Sequence, residues 1–486
     1  MHSDIIEERL KKLEMLRRAG NPYPARVVRS ASVGSILADF KALEKKKTNV
    51  TLVGRVRGLR VQGGLIFADV RDESGQLQAV MKREALKEFA LLKDTLDIGD
   101  FLEVVGTLFV TQKGERSILA DGVRIVSKSI RPLPSEWYGL SDTEKRLRER
   151  YVDLLVHPET KELFVKKFRF WNEFRKYLNA AGFEEVETSV LEQIPGGAEA
   201  EPFVTHHNAL DTDYYLRISL ELPLKKLIVG GFEKVFEIGR VFRNEGIDAE
   251  HLQDYTSCEL YWAYTDYEEL MMFVEAMYKT AIANVFGTLT TKWQGKKINW
   301  GKKWPKVEYY TLFKKHVGID LKTATSEMLY TKALTEGLKP EVELGRGRLI
   351  DMLFKKFVRP TLIQPVFLVN PPVDIEPLAK RLEKDPGRVA RFQIVACGTE
   401  LGKGFSELND PIDQRKRFEE QMKLREKGDK EAQQLDEDFL RALEYGMPPT
   451  SGFGFSERLF AILADKPVRE MVFFPLMRPK ENDRSN

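Results

Sequence analysis

Five short segments between residues 50 and 130 constrain the fold more than any other part of the chain. They are rich in β-branched residues, alternate apolar with polar side chains, and are separated by turn residues such as Gly63-Gly64. Five short strands in a stretch of this length are typical of a small closed β-barrel. We therefore predict an OB-fold barrel over residues 46–132.

The residues on either side of this barrel have a different character. Residues 1–20 alternate acidic and basic side chains around an apolar helical stripe that ends at Gly20. This pattern predicts an amphipathic helix within an N-terminal segment of residues 1–45. Pro134 and the residues around it mark a linker over residues 133–150.

The remaining residues, 151–486, alternate helical and strand-like patterns. A helix that ends before Gly182 is predicted by apolar residues three and four apart: Phe164, Phe168, Trp171, Phe174 and Leu178. Several strand-like segments then follow closely along the chain, which favours an antiparallel sheet over βαβ winding. The predicted class is therefore α+β, with the second domain built on an antiparallel sheet flanked by helices.

Composition excludes several classes of protein. No apolar run is long enough to span a bilayer, and the N-terminus lacks the apolar stretch of a signal peptide. The two cysteines, Cys258 and Cys397, lack metal-ligand spacing, so we expect a cytoplasmic protein without a disulfide framework. A formal net charge of +3 is too small to imply nucleic-acid binding by itself, although a local basic patch is compatible with it.

Two motifs suggest an anion site, although the chain has no P-loop and no GxGxxG opening a helix. Arg243 and Glu245 follow a strand-like segment, and a guanidinium forks onto phosphate or carboxylate oxygens. The segment GFGFSERL at residues 452–459 allows close approach of the backbone to a ligand and places Arg458 near a helix start. Taken singly, the first motif is more often a surface ion pair and the second a glycine-rich turn.

A third motif, GFEEVET at residues 182–188, makes the set specific. Taken in chain order, GFEEVET, the segment with Arg243 and Glu245, and GFGFSERL resemble motifs 1, 2 and 3 of the class II aminoacyl-tRNA synthetases. The segments PGGAEAEPFVTHHNALDTDYYLRISLELPLKKLIVGGFEKVFEIGRVFRNEG and TELGKGFSELNDPIDQ resemble, more narrowly, the lysyl-tRNA synthetases. This resemblance implies a class II catalytic domain over residues 151–486 that attaches L-lysine to tRNA(Lys) with ATP and Mg²⁺, in a homodimer not bound to membranes.

The resemblance also implies an ATP site. Arg243 would contact the α-phosphate and the amino-acid carboxylate, and Glu245 would read the adenine amino group. His251 would lie over the phosphates, and Tyr255 takes the place of an aromatic residue that stacks on adenine. Arg458 would support the γ-phosphate. Catalysis by Arg243 and Arg458 would then rest on positioning and charge, with no protein nucleophile.

Glu400 and Glu407 are the implied Mg²⁺ ligands, and Glu400 also belongs to the implied ATP site. Residues seven apart lie on opposite faces of a regular strand. Gly402 and Gly404 permit a β-bulge that would re-aim one of the two side chains. From their spacing alone, Glu400 and Glu407 are as well explained as two solvent-exposed glutamates that bind no metal.

The implied lysine-binding residues are Gly197, Glu221, Arg243, Glu259, Tyr261, Lys403 and Glu407. Gly197 and Glu221 would hold the α-amino group. Glu259, Tyr261 and Glu407 would surround the ε-ammonium. Carboxylates suit this role because an unpaired buried charge is very costly. Glu259 and Tyr261 are two apart on a predicted strand, so they share one face.

A separate signal lies in the predicted barrel. Phe67 and Gln78 fall on neighbouring strands, with Arg60 upstream. OB-folds hold RNA loops by stacking aromatic rings on unpaired bases and placing amides at the base edges. The resemblance assigns these three residues to anticodon binding, and a buried core position is the alternative for Phe67.

The chain departs from the family pattern at four places. Ser189 replaces a proline near the dimer contact, Ser456 replaces the third glycine of motif 3, and Leu252-Gln253 stands where Asn-Pro is usual. Lys403 replaces an asparagine near the substrate carboxylate, so it bears on substrate affinity.

Three other functions compete with lysine attachment. A synthetase for aspartate or asparagine shares the layout but needs a cation or an amide reader in its pocket, which the three pocket glutamates disfavour. An inactive RNA-binding paralogue is disfavoured by Arg243, Glu245 and Arg458. A relative that lysylates a protein would lack the barrel.

Overall fold

The computed structural model describes residues 2–134, 140–246, 252–340, 344–429 and 431–479. The chain divides into two compact units, Met1–Ser141 and Asp142–Asn486. We call them unit 1 and unit 2. No helix of the described residues is long and apolar enough to cross a membrane.

Unit 1 is a closed barrel with strand order β1-β2-β3-β5-β4. Its elements are α1 (His2–Ala19), α2 (Val33–Ala38), α3 (Phe40–Lys45), β1 (Asn49–Gln62), β2 (Leu65–Arg71), β3 (Gln76–Lys82), α4 (Phe89–Thr95), β4 (Phe101–Val110) and β5 (Arg116–Ser127). Burial alternates along β2, where Ile66, Ala68 and Val70 are buried inside. The predicted five-stranded barrel and N-terminal helix are both confirmed.

Unit 2 is built on an eight-stranded sheet flanked by helices. Its helices are α5 (Thr143–Arg148), α6 (Arg150–Val156), α7 (Pro158–Ala180), α8 (Glu221–Val229), α9 (Tyr267–Phe286), α10 (Tyr309–Val317), α11 (Ser326–Thr335), α12 (Arg346–Phe357), α13 (Pro411–Glu426), α14 (Glu437–Glu444) and α15 (Arg458–Leu463). Its strands are β6 (Glu184–Glu185), β7 (Leu191–Glu192), β8 (Val204–His207), β9 (Thr212–Leu216), β10 (Lys234–Phe242), β11 (Asp254–Ala263), β12 (Thr290–Trp293), β13 (Lys296–Asn299), β14 (Lys306–Glu308), β15 (Val366–Val369), β16 (Arg381–Leu382), β17 (Asp385–Val389), β18 (Arg391–Ala396), β19 (Thr399–Ser406) and β20 (Thr450–Ser456).

The central sheet has the order β14-β15-β18-β19-β20-β11-β10-β6. Its five inner pairings are antiparallel, whereas the edge pairs β14–β15 and β10–β6 are parallel. The predicted α+β class is therefore confirmed.

Helix α7 covers one face of this sheet with an aromatic stripe. Phe170 and Phe174 are fully buried in the main core of unit 2. The predicted helix is confirmed, but Phe168, one of the residues that predicted it, is 52% exposed. Its ring lies beside that of Phe473, with centroids 5.9 Å apart.

Candidate active site

A cavity of about 850 Å³ opens on the face of the central sheet opposite α7 and α9. The predicted residues that line it are Gly197, Glu221, Arg243, Glu245, Tyr255, Glu259, Tyr261, Glu400, Lys403 and Arg458. Glu407 is fully buried next to Gly452, which lines the cavity. His251 lies outside the described residues. The fold thus brings together side chains from four separate parts of the sequence.

A β-bulge in β19 decides which of its side chains face this cavity. Val395 pairs with Glu400 and Ile394 pairs with Gly402, so Leu401 is the extra residue. A bulge shifts the alternation of the strand by one residue. Because of it, Glu400 and Glu407 lie on the same face, as the two neighbouring glycines permitted.

Glu259 is held in place from two sides on β11. Its Oε1 accepts hydrogen bonds from the Ser219 hydroxyl at 2.9 Å and from the Leu220 amide at 3.0 Å. The Tyr261 hydroxyl donates to its Oε2 at 3.2 Å. The predicted shared face of Glu259 and Tyr261 is therefore confirmed, and burial raises the pKa of Tyr261 well above its usual value.

Two glycines allow the acidic side chains to approach their neighbours. A Cβ on Gly452 would stand 2.2 Å from Glu407 Oε1 and 2.4 Å from the Tyr261 ring. Gly197 has φ +81°, and a Cβ there would stand 2.8 Å from the Cβ of Glu221. Neither position leaves room for a larger residue, so these glycines shape the acidic part of the cavity.

Lys225 is a functional candidate that the sequence reasoning missed. Its side chain is fully buried, and Nζ lies 2.5 Å from Glu221 Oε1 and in contact with Glu407 Oε2. Burial alone would lower the pKa of Lys225, but the two carboxylates outweigh it and raise the pKa. Its position one helical turn after Glu221, on the same helix face, is the signal that could have revealed it.

Arg243 follows β10 at the base of a loop that Gln253 closes. The Arg243 amide donates to the Gln253 carbonyl at 2.7 Å, and its guanidinium donates to the Ile218 carbonyl at 3.2 Å. The guanidinium lies 5.6 Å from the centre of the Tyr255 ring. Glu245 lines the cavity beside them, so a planar cation, an aromatic face and a carboxylate lie together.

Arg458 begins α15, as its position after the glycine-rich segment predicted. Its amide donates to the Ser456 hydroxyl at 3.3 Å, so the serine that replaces a glycine helps to start the helix. The preceding Glu457 is buried and pairs with Lys167 of α7. This pair fixes the backbone from which Arg458 reaches the cavity.

Lys403 is paired with an acid inside the cavity. Its Nζ lies 3.1 Å from Glu376 Oε2, and Arg391 Nε lies 3.3 Å from the same oxygen. The Lys403 side chain keeps 35% of its surface exposed, whereas Glu376 is buried. Burial would raise the pKa of Glu376, but the two cations lower it. Sequence reasoning missed both Glu376 and Arg391, which are distant from Lys403 along the chain.

A second missed group joins three segments that line the cavity. Arg348 of α12 lies 2.8 Å from Glu199, 3.1 Å from Asp429 and 3.2 Å from Glu431. Glu199 follows Gly197 closely, whereas the two other acids follow α13. No local pattern points to these pairs, because their partners are brought together only by the fold.

The barrel in unit 1 carries the three predicted RNA-binding residues at different depths. Phe67 is half-buried between the inward-facing Ile66 and Ala68, so it is not a core residue. The Arg60 guanidinium lies 6.0 Å from the centre of its ring. Gln78 is buried, and its side-chain oxygen accepts a hydrogen bond from the Ser117 hydroxyl at 3.1 Å.

Two family profiles match the chain. The profile described as tRNA synthetases class II (D, K and N) matches residues 142–478, and an OB-fold nucleic acid binding domain matches residues 50–126. The chain therefore belongs to the class II tRNA synthetases of this group.

Relatives narrow the family further. A lysine–tRNA ligase of Roseiflexus castenholzii is 45% identical over 486 residues, covering 99% of both chains. One of Moorella thermoacetica is 44% identical over 484 residues, again with 99% of both chains covered. A lysine–tRNA ligase of Chloroflexus aurantiacus is 41% identical over 488 residues. Within the class II group, these lysine–tRNA ligases are the family to which the chain belongs.

Proposed function

We propose that the protein is a lysine–tRNA ligase that uses ATP. The lysine carboxylate attacks the α-phosphate of ATP, which forms lysyl-adenylate and releases pyrophosphate. The 3′-hydroxyl of the terminal adenosine of tRNA(Lys) then takes the lysyl group and releases AMP. The observation that carries this proposal is that Glu221 and Glu259 line the same cavity as Arg243, with Glu407 buried beside the cavity wall at Gly452.

The acidic cluster suits the two ammonium groups of lysine. Glu221 and the backbone at Gly197 would hold the α-ammonium. Glu259, with Tyr261 and Glu407, would surround the ε-ammonium. The bonds from Ser219 and Leu220 aim the Glu259 carboxylate before the substrate arrives. A preorganised carboxylate needs no rearrangement when it binds the ammonium.

The opposite part of the cavity suits ATP. Arg243 would bridge the substrate carboxylate and the α-phosphate with its planar fork. Tyr255 would stack on adenine, Glu245 would accept from the adenine amino group, and Arg458 would contact the γ-phosphate. His251 remains a candidate for the phosphate side. Rate enhancement would come from positioning and from cations aimed at the charge that develops on phosphorus.

Mg²⁺ fits the carboxylates of Glu400, on β19, and of Glu407, directly after β19. Glu400 and Glu407 lie on one face, and Glu407 Oε1 is buried without a hydrogen-bond partner among the described residues. No three acidic, histidine or cysteine side chains of the described residues form a metal cluster. Such a pair suits Mg²⁺, which takes one or two carboxylates and completes its shell with phosphates and water. The ion would neutralise phosphate charge, while Gln393, in contact with Glu400, orients that carboxylate.

Recognition of tRNA(Lys) is assigned to the barrel. The half-buried Phe67 presents a ring on which an anticodon base can stack, and Arg60 adds a cation beside it. Gln78 would read a base edge with its amide nitrogen, since its oxygen is engaged by Ser117.

A homodimer is the proposed assembly, and the cytoplasm is its proposed compartment. Val165 and Phe168 on α7 are 37% and 52% exposed, and Val190 and Leu191, shortly after the segment GFEEVET, are 40% and 44% exposed. Apolar side chains concentrated on one helix and its following segment are typical of a contact between protein chains. Sedimentation of the purified chain measures the assembly directly.

ATP–pyrophosphate exchange with each standard amino acid tests the proposed function. Lysine should drive exchange, whereas leucine and methionine should be rejected by a factor on the order of 10⁴, because they leave buried carboxylates unpaired. Comparable exchange with aspartate or asparagine would contradict the proposal. An absence of exchange with every amino acid would favour an inactive RNA-binding paralogue.

A further inference from the structure

Lys225 stands between the two acids that the proposed function assigns to opposite ends of the substrate. Glu221 lines the cavity and begins α8, whereas Glu407 follows β19 and is fully buried. Lys225 Nζ contacts both carboxylates, at 2.5 Å from Glu221 Oε1 and still closer to Glu407 Oε2. One ammonium therefore ties together two parts of the cavity wall that are distant in sequence.

The surroundings of Lys225 hold the ammonium in this place. Its side chain has no exposed surface, and Nζ lies 5.4 Å from the centre of the Phe405 ring and 5.9 Å from that of Phe439. Ring faces attract a desolvated cation, and they also exclude water from the ion pairs. A buried lysine without acids would lose its charge, so the two carboxylates keep Lys225 protonated.

Charge balance gives this arrangement a consequence for the substrate. Lys225 is the resident counter-charge of the Glu221 and Glu407 carboxylates, and burial nevertheless raises the pKa of both. L-Lysine carries two ammonium groups. Without Lys225, the Glu221 and Glu407 carboxylates would have no cation between them in a dry site, and one side chain would turn away.

We infer that Lys225 is a positioning and specificity-determining residue that matches the acidic cluster to a substrate with two ammonium groups. This inference rests on the proposed function and deepens it. Lys225 does not touch the reacting atoms. It bridges Glu221, the proposed partner of the α-ammonium, and Glu407, a proposed partner of the ε-ammonium, and so fixes the distance between the two acids.

The test compares Lys225→Gln with Lys226→Gln in lysine-dependent ATP–pyrophosphate exchange. Lys226 is the next residue of the same helix, but it pairs at the surface with Asp438, which is 72% exposed. Lys225→Gln should raise the KM for lysine by roughly tenfold or more, the effect expected when a charged hydrogen bond to substrate is lost. The KM for ATP should rise less than the KM for lysine, because among the residues proposed to bind ATP and Mg²⁺ the contact of Lys225 is to Glu407. Lys226→Gln should behave as the wild type.

Lys225→Arg tests the charge directly, including the case in which Lys225→Gln does not fold. It should retain a lysine KM within roughly fivefold of the wild type, since a guanidinium also stays charged between two carboxylates. An unchanged lysine KM in Lys225→Gln would overturn the inference, as would equal rises in the lysine and ATP constants. A folded Lys225→Arg with a large loss of lysine affinity would also overturn it. Failure of the wild type to exchange with lysine would instead refute the proposed function.

Discussion

At the scale of single residues, the cavity combines acids held by hydrogen bonds with two cations, Arg243 and Lys403, that differ in the partner each already engages. The Arg243 Nε donates a hydrogen bond to the Ile218 carbonyl at 3.2 Å. Within the described residues this is the one hydrogen bond of the guanidinium, so its two terminal nitrogens can bind a ligand. Lys403 uses one of its three ammonium donors in the ion pair with Glu376. Substitutions at these two positions therefore test different properties of the site.

Arg243→Lys should lower the turnover of adenylate formation by roughly 10²–10³, because lysine keeps the charge but loses the fork that could hold carboxylate and phosphate together. Pyrophosphate exchange at saturating lysine and ATP measures this. Arg240→Lys is the control, since Arg240 lies on β10, just before Arg243, and pairs with Asp254. Near-normal exchange in Arg243→Lys would refute its proposed role.

Lys403→Asn should lower the KM for lysine by up to about fivefold, the range expected when one partly exposed charge is removed. The substitution removes a cation from the site that receives the substrate ammonium groups, and Arg391 remains to neutralise Glu376. The ATP constant should hardly move. A large loss of lysine affinity would show that Lys403 itself grips the substrate carboxylate. Lys380→Asn, at an exposed lysine bonded to Asn409, is the control.

At the scale of elements, one buried acid joins three helices at the start of unit 2. Asp153 of α6 has no exposed side-chain surface and accepts from Arg146 at 2.7 Å, Arg150 at 2.6 Å and His157 at 2.7 Å. Those donors come from α5, from α6 itself and from the residue that precedes α7. The junction orients α7, which packs beneath the sheet that carries the site.

Asp153→Asn should destabilise unit 2 by about 3–5 kcal/mol at neutral pH, because breaking a buried ionic network leaves uncompensated charge. Burial would raise the pKa of Asp153, but its donors outweigh this and lower it. The stabilisation is therefore complete above the unfolded pKa of about 4 and is lost as the pH falls through the lower folded value. The difference between wild type and variant should shrink below that pH.

Urea unfolding followed by tryptophan fluorescence measures this difference. The signal reports on unit 2 through Trp171, Trp262, Trp293, Trp300 and Trp304. The control is Asp438→Asn, which removes a surface ion pair and should cost less than about 1 kcal/mol. An Asp153→Asn variant as stable as that control would contradict the role of the junction.

At the scale of the whole molecule, the two units carry separable tasks. Phe67→Ala should weaken tRNA charging by about 1–3 kcal/mol, the usual effect of a lost base stack. Adenylate formation without tRNA should remain nearly unchanged, because the acidic cavity lies entirely in unit 2. Comparison of aminoacylation with pyrophosphate exchange measures the separation. Phe101→Ala, at a half-buried ring of the same barrel that packs on Arg55, is the control. Parallel losses in both assays would assign Phe67 a structural role.

Local patterns alone predicted the barrel of unit 1 and helix α7 of unit 2. The barrel follows from alternation along strands such as β2, and α7 follows from apolar residues three and four apart, because burial on one face imposes the period of the element on the sequence. The motifs then indicated the family, and with it Arg243, Glu259 and Tyr261 as members of one site.

Only the tertiary structure decided which of the candidate side chains meet, and how. The bulge at Leu401 turns Glu400 toward the face of Glu407, and strand pairing with β18 produces it. Lys225 joins Glu221 to Glu407, and Lys403 meets Glu376, across long separations in the chain. Such contacts leave no periodic trace in the sequence, because they depend on the packing of distant elements and on the cost of leaving a buried charge unpaired.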